Sequence, residues 1–348
     1  PAVIGRPAST PGQHTDAVSP QTLTQLFEFL DIYVGARAPE PKLLVNLLGG
    51  VIFGEGSATP PLPQAMAPTL WQARASFEQR PRVRLLLEMP EGAYSGRQLG
   101  ALWETSADSF PVAGSTERTW FLGEGGALSD GPTAAATATY RPDPAVRRDV
   151  QKGAAAGTTI WEPVADTDGV AFVSQPLTED MVVLGPAAAD IALSAPAADT
   201  DLGVTLGEVR PDGTEIRVST GTQRASMRTV DPTRTTATRP AYTLDAHRPL
   251  LPGVNVVPVQ ILPVAHVFRA GSRIRLTIAA VGGDREEWRY DSVDPDGGTT
   301  ENTVHLGGAT PSSLSLTLAP LTGYPAAPLP CPSAGKPCRA FVPMLNGG

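Results

Sequence analysis

Ala198-Asp199-Thr200-Asp201-Leu202-Gly203-Val204-Thr205-Leu206-Gly207-Glu208-Val209-Arg210-Pro211-Asp212-Gly213 is the stretch that decides the fold, because a strand signal and a turn signal meet in it. Leu202, Val204 and Leu206 alternate with Gly203, Thr205 and Gly207, the two-residue period of a strand buried on one face. Pro211-Asp212-Gly213 then supplies a reversal, since proline presets φ and glycine accepts a positive φ. A hairpin is predicted.

The same period recurs on either side. Ile274, Leu276 and Ile278 alternate with Arg273, Arg275 and Thr277; Val257, Val259 and Ile261 repeat it upstream, and Leu314, Leu316 and Leu318 near the end. From about Trp120 onward no helical stripe is visible, only short strands separated by Gly, Pro, Asp and Ser. That pattern predicts a mostly β chain ending in a sandwich or jelly roll. It is common to many all-β folds and by itself specifies no function.

The first part reads differently. Ser19 is a good N-cap and Pro20 suits the first helical position, so a helix is expected over about residues 20–34, with Gly35 in the left-handed C-terminal position. Leu23, Leu26, Phe27, Leu30 and Tyr33 or Val34 form its apolar stripe. A second helix is expected over residues 70–79, with Leu70, Ala73 and Phe77 inward, ending before Pro81; a strand follows over residues 82–89. Helix, helix and strand make an α/β ending, and a boundary near Glu117 divides the chain into residues 1–117 and 118–348.

At 348 residues the chain is long enough for two domains, and its formal charge of −8 argues against a nucleic-acid partner. Only Lys42, Lys152 and Lys336 are lysines, against many arginines and alanines, which suggests a GC-rich bacterial gene. No run of eighteen or more apolar residues is present, so no membrane span is expected. The chain opens on Pro1-Ala2-Val3 without a methionine or a leader, and is expected to be a C-terminal fragment or a processed product. Cys331 and Cys338, the two cysteines, lie in one tail that could close a small disulfide loop. They suggest an oxidising, exported setting, secreted or in the cell envelope, with the cytoplasm as the alternative. They are too few for structural zinc, and no metal or cofactor is expected.

Read together with His266-Val267-Phe268-Arg269-Ala270-Gly271-Ser272-Arg273-Ile274-Arg275-Leu276, the opening stretch resembles the C-terminal β-sandwich of the cocaine esterase / X-Pro dipeptidyl peptidase family of serine hydrolases. There a D-T-D-x-x-x-x-L-x-E/D-V-x-P-D-G hairpin is followed by an H-x-F-x-x-G-x-R-I/L-R strand. Trp120-Phe121-Leu122 ahead of Gly125-Gly126-Ala127-Leu128, and Tyr140-Arg141-Pro142-Asp143-Pro144, extend the resemblance to residues 12–320. It implies the last part of an α/β-hydrolase domain followed by a jelly roll. It implies a complete enzyme that cleaves an acyl ester or X-Pro peptide through an acyl-serine, with a small ester, amide or peptide as substrate and the N-terminal part of the same hydrolase as partner.

His14, in Gly12-Gln13-His14-Thr15-Asp16, reads without the family as a solvated loop histidine. The resemblance implies that it is the triad histidine, since in α/β-hydrolases histidine comes last of the three. Asp16 is too close in sequence to be its carboxylate partner. No G-x-S-x-G occurs, so the nucleophile and the triad acid are expected outside this chain, which alone should be inactive. Trp161 aligns with a family segment that lines the acyl pocket; read alone it is equally a core tryptophan. Trp71, Trp103, Trp120 and Trp288 are taken as packing residues, and His266 as a sandwich histidine near a strand start. His247 and His305 show no metal spacing, and Asp199, Asp201 and Asp212 are expected at turns and strand entries. The competing class is a non-enzymatic β-sandwich that binds carbohydrate or protein, although 6% aromatic residues offer little for a sugar platform.

Overall fold

A computed structural model of the protein describes residues 2–5, 26–40, 69–87, 103–142, 161–244, 247–281, 293, 300–328, 331 and 336–344. The chain forms two compact units, Pro1–Ala113 with Thr322–Gly335, and Gly114–Leu321 with Lys336–Gly348.

In the first unit, strand β1 (Ala2–Gly5) runs parallel to β2 (Val83–Leu87), which pairs antiparallel with β3 (Trp103–Ala107). Helix α1 (Leu70–Glu78) starts where Thr69 Oγ1 accepts from the Gln72 amide at 3.3 Å. Ala73 and Phe77 are buried on its inner face, as the sequence predicts. Trp71 is not a packing residue: it is 76% exposed. With Leu70, Ala73 and Phe77 turned inward, one residue's rotation of about 100° carries position 71 off that face.

The earlier helical segment departs further from expectation. Residues 26–29 are α-helical, but Leu30–Val34 widen into a π-helical turn in which the Gly35 amide bonds Leu30 O at 2.7 Å. Gly35 therefore stays helical, and Ala36 takes the left-handed conformation at φ 48°. The residues buried are Glu28, Asp31 and Ile32, whereas Leu26, Leu30, Tyr33 and Val34 are exposed. Ion pairing makes this possible: Arg80 holds both Glu28 oxygens at 2.6 and 2.9 Å, and Arg37 reaches Asp31 at 2.8 Å. Burial still raises the Glu28 pKa, with Arg80 opposing it. The expected start at Ser19 and Pro20, and Leu23 in the stripe, lie outside the described residues.

The second unit is β throughout its described strands: β4 (Thr116–Gly123), β5 (Ala127–Ser129), β6 (Ala136–Tyr140), β7 (Gly169–Ser174), β8 (Met181–Ser194), β9 (Asp201–Val209), β10 (Thr214–Arg224), β11 (Asn255–Phe268), β12 (Arg273–Ala279), β13 (Asn302–Leu306), β14 (Ser313–Leu318) and β15 (Cys338–Ala340). Pairing runs β11-β10-β9-β12-β7-β5-β4-β14-β8, and β8 pairs with β11, so the path closes on itself. The result is barrel- or sandwich-like. All these pairings are antiparallel except β5 with β7.

The predicted hairpin joins β9 to β10, with Gly213 at φ +82° in its turn. Leu202, Val204, Leu206, Leu276, Ile278, Val257, Val259, Ile261, Leu314 and Leu316 are each buried in a single apolar cluster. At roughly 25 cal/mol per Å² of buried apolar surface, such a core is the main stabiliser of the unit.

Candidate functional site

Of the side chains singled out from sequence, His14 lies outside the described residues, as does Trp288. Cys331 and Cys338 are both disulfide-bonded. Trp161 is half-buried, outside the strands and outside the apolar cluster. His305 Nε2 lies 2.8 Å from Ser194 Oγ. Asp199 accepts from the Thr200 amide and from Ser226 Oγ at 2.6 Å, Asp201 pairs with Arg224, and Asp212 accepts from the Thr214 amide. These are turn and strand-entry roles. Among the described residues no three of His, Cys, Asp and Glu gather to hold a metal ion.

The two stretches quoted from the sequence meet at one buried pair. His266 lies near the end of β11, not its start, and its Nε2 is 3.0 Å from Glu208 Oε2 on β9. The register change in β11 between Ile261 and Val264 keeps His266 on the apolar face along with Val264 and Phe268, which is why it meets Glu208, in phase with Leu202, Val204 and Leu206. The Arg269 amide donates to Glu208 Oε1 at 3.1 Å, and the Phe268 ring meets the imidazole edge-on at 4.8 Å.

The third member comes from the tail. Lys336 Nζ is 2.7 Å from His266 Nδ1 and donates to Ala265 O at 3.2 Å. An ammonium has donors only, so Nδ1 accepts, the imidazole proton sits on Nε2, and that proton is donated to Glu208. His266 thus bridges Lys336 and Glu208. Burial works against the Glu208 carboxylate, but His266 and the bond from the Arg269 amide hold its pKa down to about 2. Each of the three residues is no more than 1% exposed. No substrate atom can reach them, so the triad organises the fold and does not react.

A second charged group lies on the opposite face of the same strands. Arg217, Gly207 and Arg275 stand in one row across β10, β9 and β12. Glu215 Oε2 accepts from Arg275 Nη1 and from Arg339 Nε, both at 2.8 Å. Gly207 makes the room: a Cβ there would sit 3.2 Å from Glu215 Oε1. Arg339 Nη1 also donates to Glu162 O, and its guanidinium carbon lies 3.7 Å from the Trp161 ring centre. That is a close cation–π stack on the one described aromatic that the sequence marks for a pocket. Phe341 covers Arg275 at 5.1 Å.

Sequence reasoning missed Lys336, Arg339 and Glu215. The only signal was negative: two apolar-bounded strands carrying arginines where a solvated face was expected. A cleft of about 520 Å³ elsewhere in this unit is lined by Arg118, Trp120 and Asp180, among others. Three of its charges are engaged, Arg118 with Asp130 at 2.8 Å and Asp180 with Arg269 at 3.0 Å.

A family model described as the X-Pro dipeptidyl-peptidase C-terminal non-catalytic domain matches residues 75–315. A comparison with curated proteins finds no match. Two solved structures of a CocE/NonD family hydrolase from Staphylococcus aureus superpose with TM-scores of 0.58 and 0.59 at 14% and 15% identity, covering 86% and 87% of this chain. An aminopeptidase from the marine sediment archaeon Thaumarchaeota archaeon superposes with a TM-score of 0.49 at 18% identity, over 89% of this chain and 45% of that one. The staphylococcal likeness is one of fold, and this chain spans 46% of the length of that hydrolase.

Proposed function

The chain belongs to the X-Pro dipeptidyl-peptidase C-terminal domain family, and on that premise we propose that it is the C-terminal portion of a serine hydrolase cleaving an ester or amide through an acyl-serine intermediate. The observation that carries this reading is the Glu208–His266 pair, which joins the two stretches of family resemblance inside the region matched by the family model.

In this reading residues 1–117 end an α/β-hydrolase domain and residues 118–348 form a jelly roll. The nucleophilic serine and the triad carboxylate come from the N-terminal part of the same hydrolase. His14 is the general base toward the serine and then the general acid toward the leaving group. Trp161, partly exposed and stacked by Arg339, supplies an apolar wall for the acyl group. Two disulfide-bonded cysteines support export to an oxidising compartment, and the arginine- and alanine-rich composition supports a bacterial source.

The test compares the isolated chain with the complete enzyme, using a fluorophosphonate probe and short-chain aryl esters. The isolated chain should neither label nor turn over. In the complete enzyme, His14→Ala should lower kcat by several orders of magnitude with KM little changed, because the serine loses its proton acceptor while substrate contacts persist. Serine labelling of the isolated chain, or near-native turnover by a folded His14 variant, would overturn the reading.

A further inference from the structure

The cleft of about 520 Å³ serves neither the charged triad nor the Arg275 row, and every residue that lines it belongs to the second unit. One wall is built from β4 and β5, the other from residues 173–182, and the end of β14, which pairs with both β4 and β8, lies between them. Its volume is within the range of about 300–1,000 Å³ usual for small-molecule sites.

Both walls are braced. On the second, the Leu177 amide bonds Ser272 O and the Gly271 amide bonds Leu177 O, each at 2.8 Å, while Asp180 accepts from the Ala270 amide at 2.8 Å and from Arg269 at 3.0 Å. On the first, Arg118 lies over the Trp120 ring, 4.8 Å from its centre, and reaches Asp130 at 2.8 Å. Walls tied down in this way need little reorganisation on binding.

The lining has two characters. Val173, Leu177 and Leu318, each half-buried, supply hydrocarbon, whereas Gln175, Thr178 and Glu179 are exposed. Its charges do not balance. Arg118 is matched by Asp130 and Asp180 by Arg269, but among the described residues no cation pairs with Glu179, which lies between β7 and β8. Hydrocarbon favours an apolar body, and one uncompensated carboxylate favours one positive charge beside it. Arg118 already covers the Trp120 ring, so a ligand's cation is directed to Glu179.

We propose that this cleft binds an organic monocation, a primary ammonium on an apolar body, with Glu179 as its counter-charge and Val173, Leu177 and Leu318 against the body. A carboxylate of the same shape is repelled by Glu179. A neutral molecule of that shape keeps only the apolar part of the interaction. The proposal does not depend on the acyl-serine reading and fails separately from it.

The experiment uses the full chain and three probes of one shape: phenylpropylammonium, phenylpropanol and phenylpropanoate. Each is titrated into isotope-labelled protein and followed by amide chemical shifts. The ammonium should move the amides of Ser129, Thr178 and Glu179 along saturable curves while those of β10 and β15 stay in place. The alcohol should bind at the same amides about five-fold more weakly, and the carboxylate more weakly still. Glu179→Gln, at an exposed position outside the strands, should bring the ammonium to the level of the alcohol and leave the alcohol unchanged. Phenylbutylammonium, one methylene longer, should bind about three-fold more tightly than phenylpropylammonium. Absence of saturable shifts at these amides, equal affinity for ammonium and alcohol, or a Glu179→Gln variant that binds the ammonium as well as wild type would each overturn the proposal.

Discussion

Strands β9 and β12 are buried on both faces, and the two faces are covered in different ways. The inner face carries Leu202, Val204, Leu206, Leu276 and Ile278 against hydrocarbon, and gives way to charge only at the end of β9, where Glu208 meets His266 and Lys336. The outer face carries Gly207 and Arg275, with Glu215 and Arg217 alongside on β10, under Arg339 and Phe341 of the tail. Apolar burial is non-directional and tolerates many residues of similar size. Buried charge tolerates the loss of no single partner, because what is left behind is desolvated and unpaired.

The sharpest way to break that contrast is to remove the bridge. His266→Ala strands the Glu208 carboxylate and the Lys336 ammonium, and should lower unfolding free energy by about 3–5 kcal/mol. Leu276→Ala on the apolar part of the same face should cost about 2–5 kcal/mol, depending on how far the cavity collapses. The decisive comparison is the triple change Glu208→Leu, His266→Phe and Lys336→Met. It should recover most of the His266→Ala loss in urea melts, because no charge is then left buried. If the triple variant is as unstable as the single one, the triad stabilises through shape and not through pairing.

Acid should act on the triad next. The Glu208 pKa falls from the usual 4.5 in the unfolded chain to about 2 in the fold, so the unfolded state binds the proton more readily. Its stabilisation is complete above the unfolded value and disappears as pH falls from 4.5 toward 2. The stability difference between wild type and Glu208→Gln, read from urea midpoints at a series of pH values, should be constant near neutrality and shrink through that window. A difference that is flat down to the lower end would show that the carboxylate is not held ionised by its partners.

The outer face should respond least. Gly207→Ala places a methyl group against the Glu215 carboxylate and should cost about 1–3 kcal/mol by overpacking. Because Glu215 carries Arg339, the same variant should raise acrylamide quenching of Trp161 fluorescence, whereas Gly253→Ala, at a positive φ in the turn ahead of β11, should lower stability without touching Trp161. Equal effects on Trp161 would mean that the tail is not coupled to the row beneath it.

Sequence alone determined the strand periods, the Pro211-Asp212-Gly213 reversal, the inward residues of α1 and the family. Each of these depends on residues close together in the chain, where two-residue or helical periodicity and turn chemistry act directly. Tertiary structure decided the rest. The stripe at Leu26, Leu30 and Val34 lost to Glu28 and Asp31 because Arg80 and Arg37 pair with those acids. His266 became the bridge of a charged triad through Glu208, 58 residues away, and Lys336, 70 residues away. Arg275 is buried because a strand outside the family match closes over it. Charge is the physical reason for the difference: a buried ionic group is stable only with a partner, and no local pattern in the chain records which distant residue that partner will be.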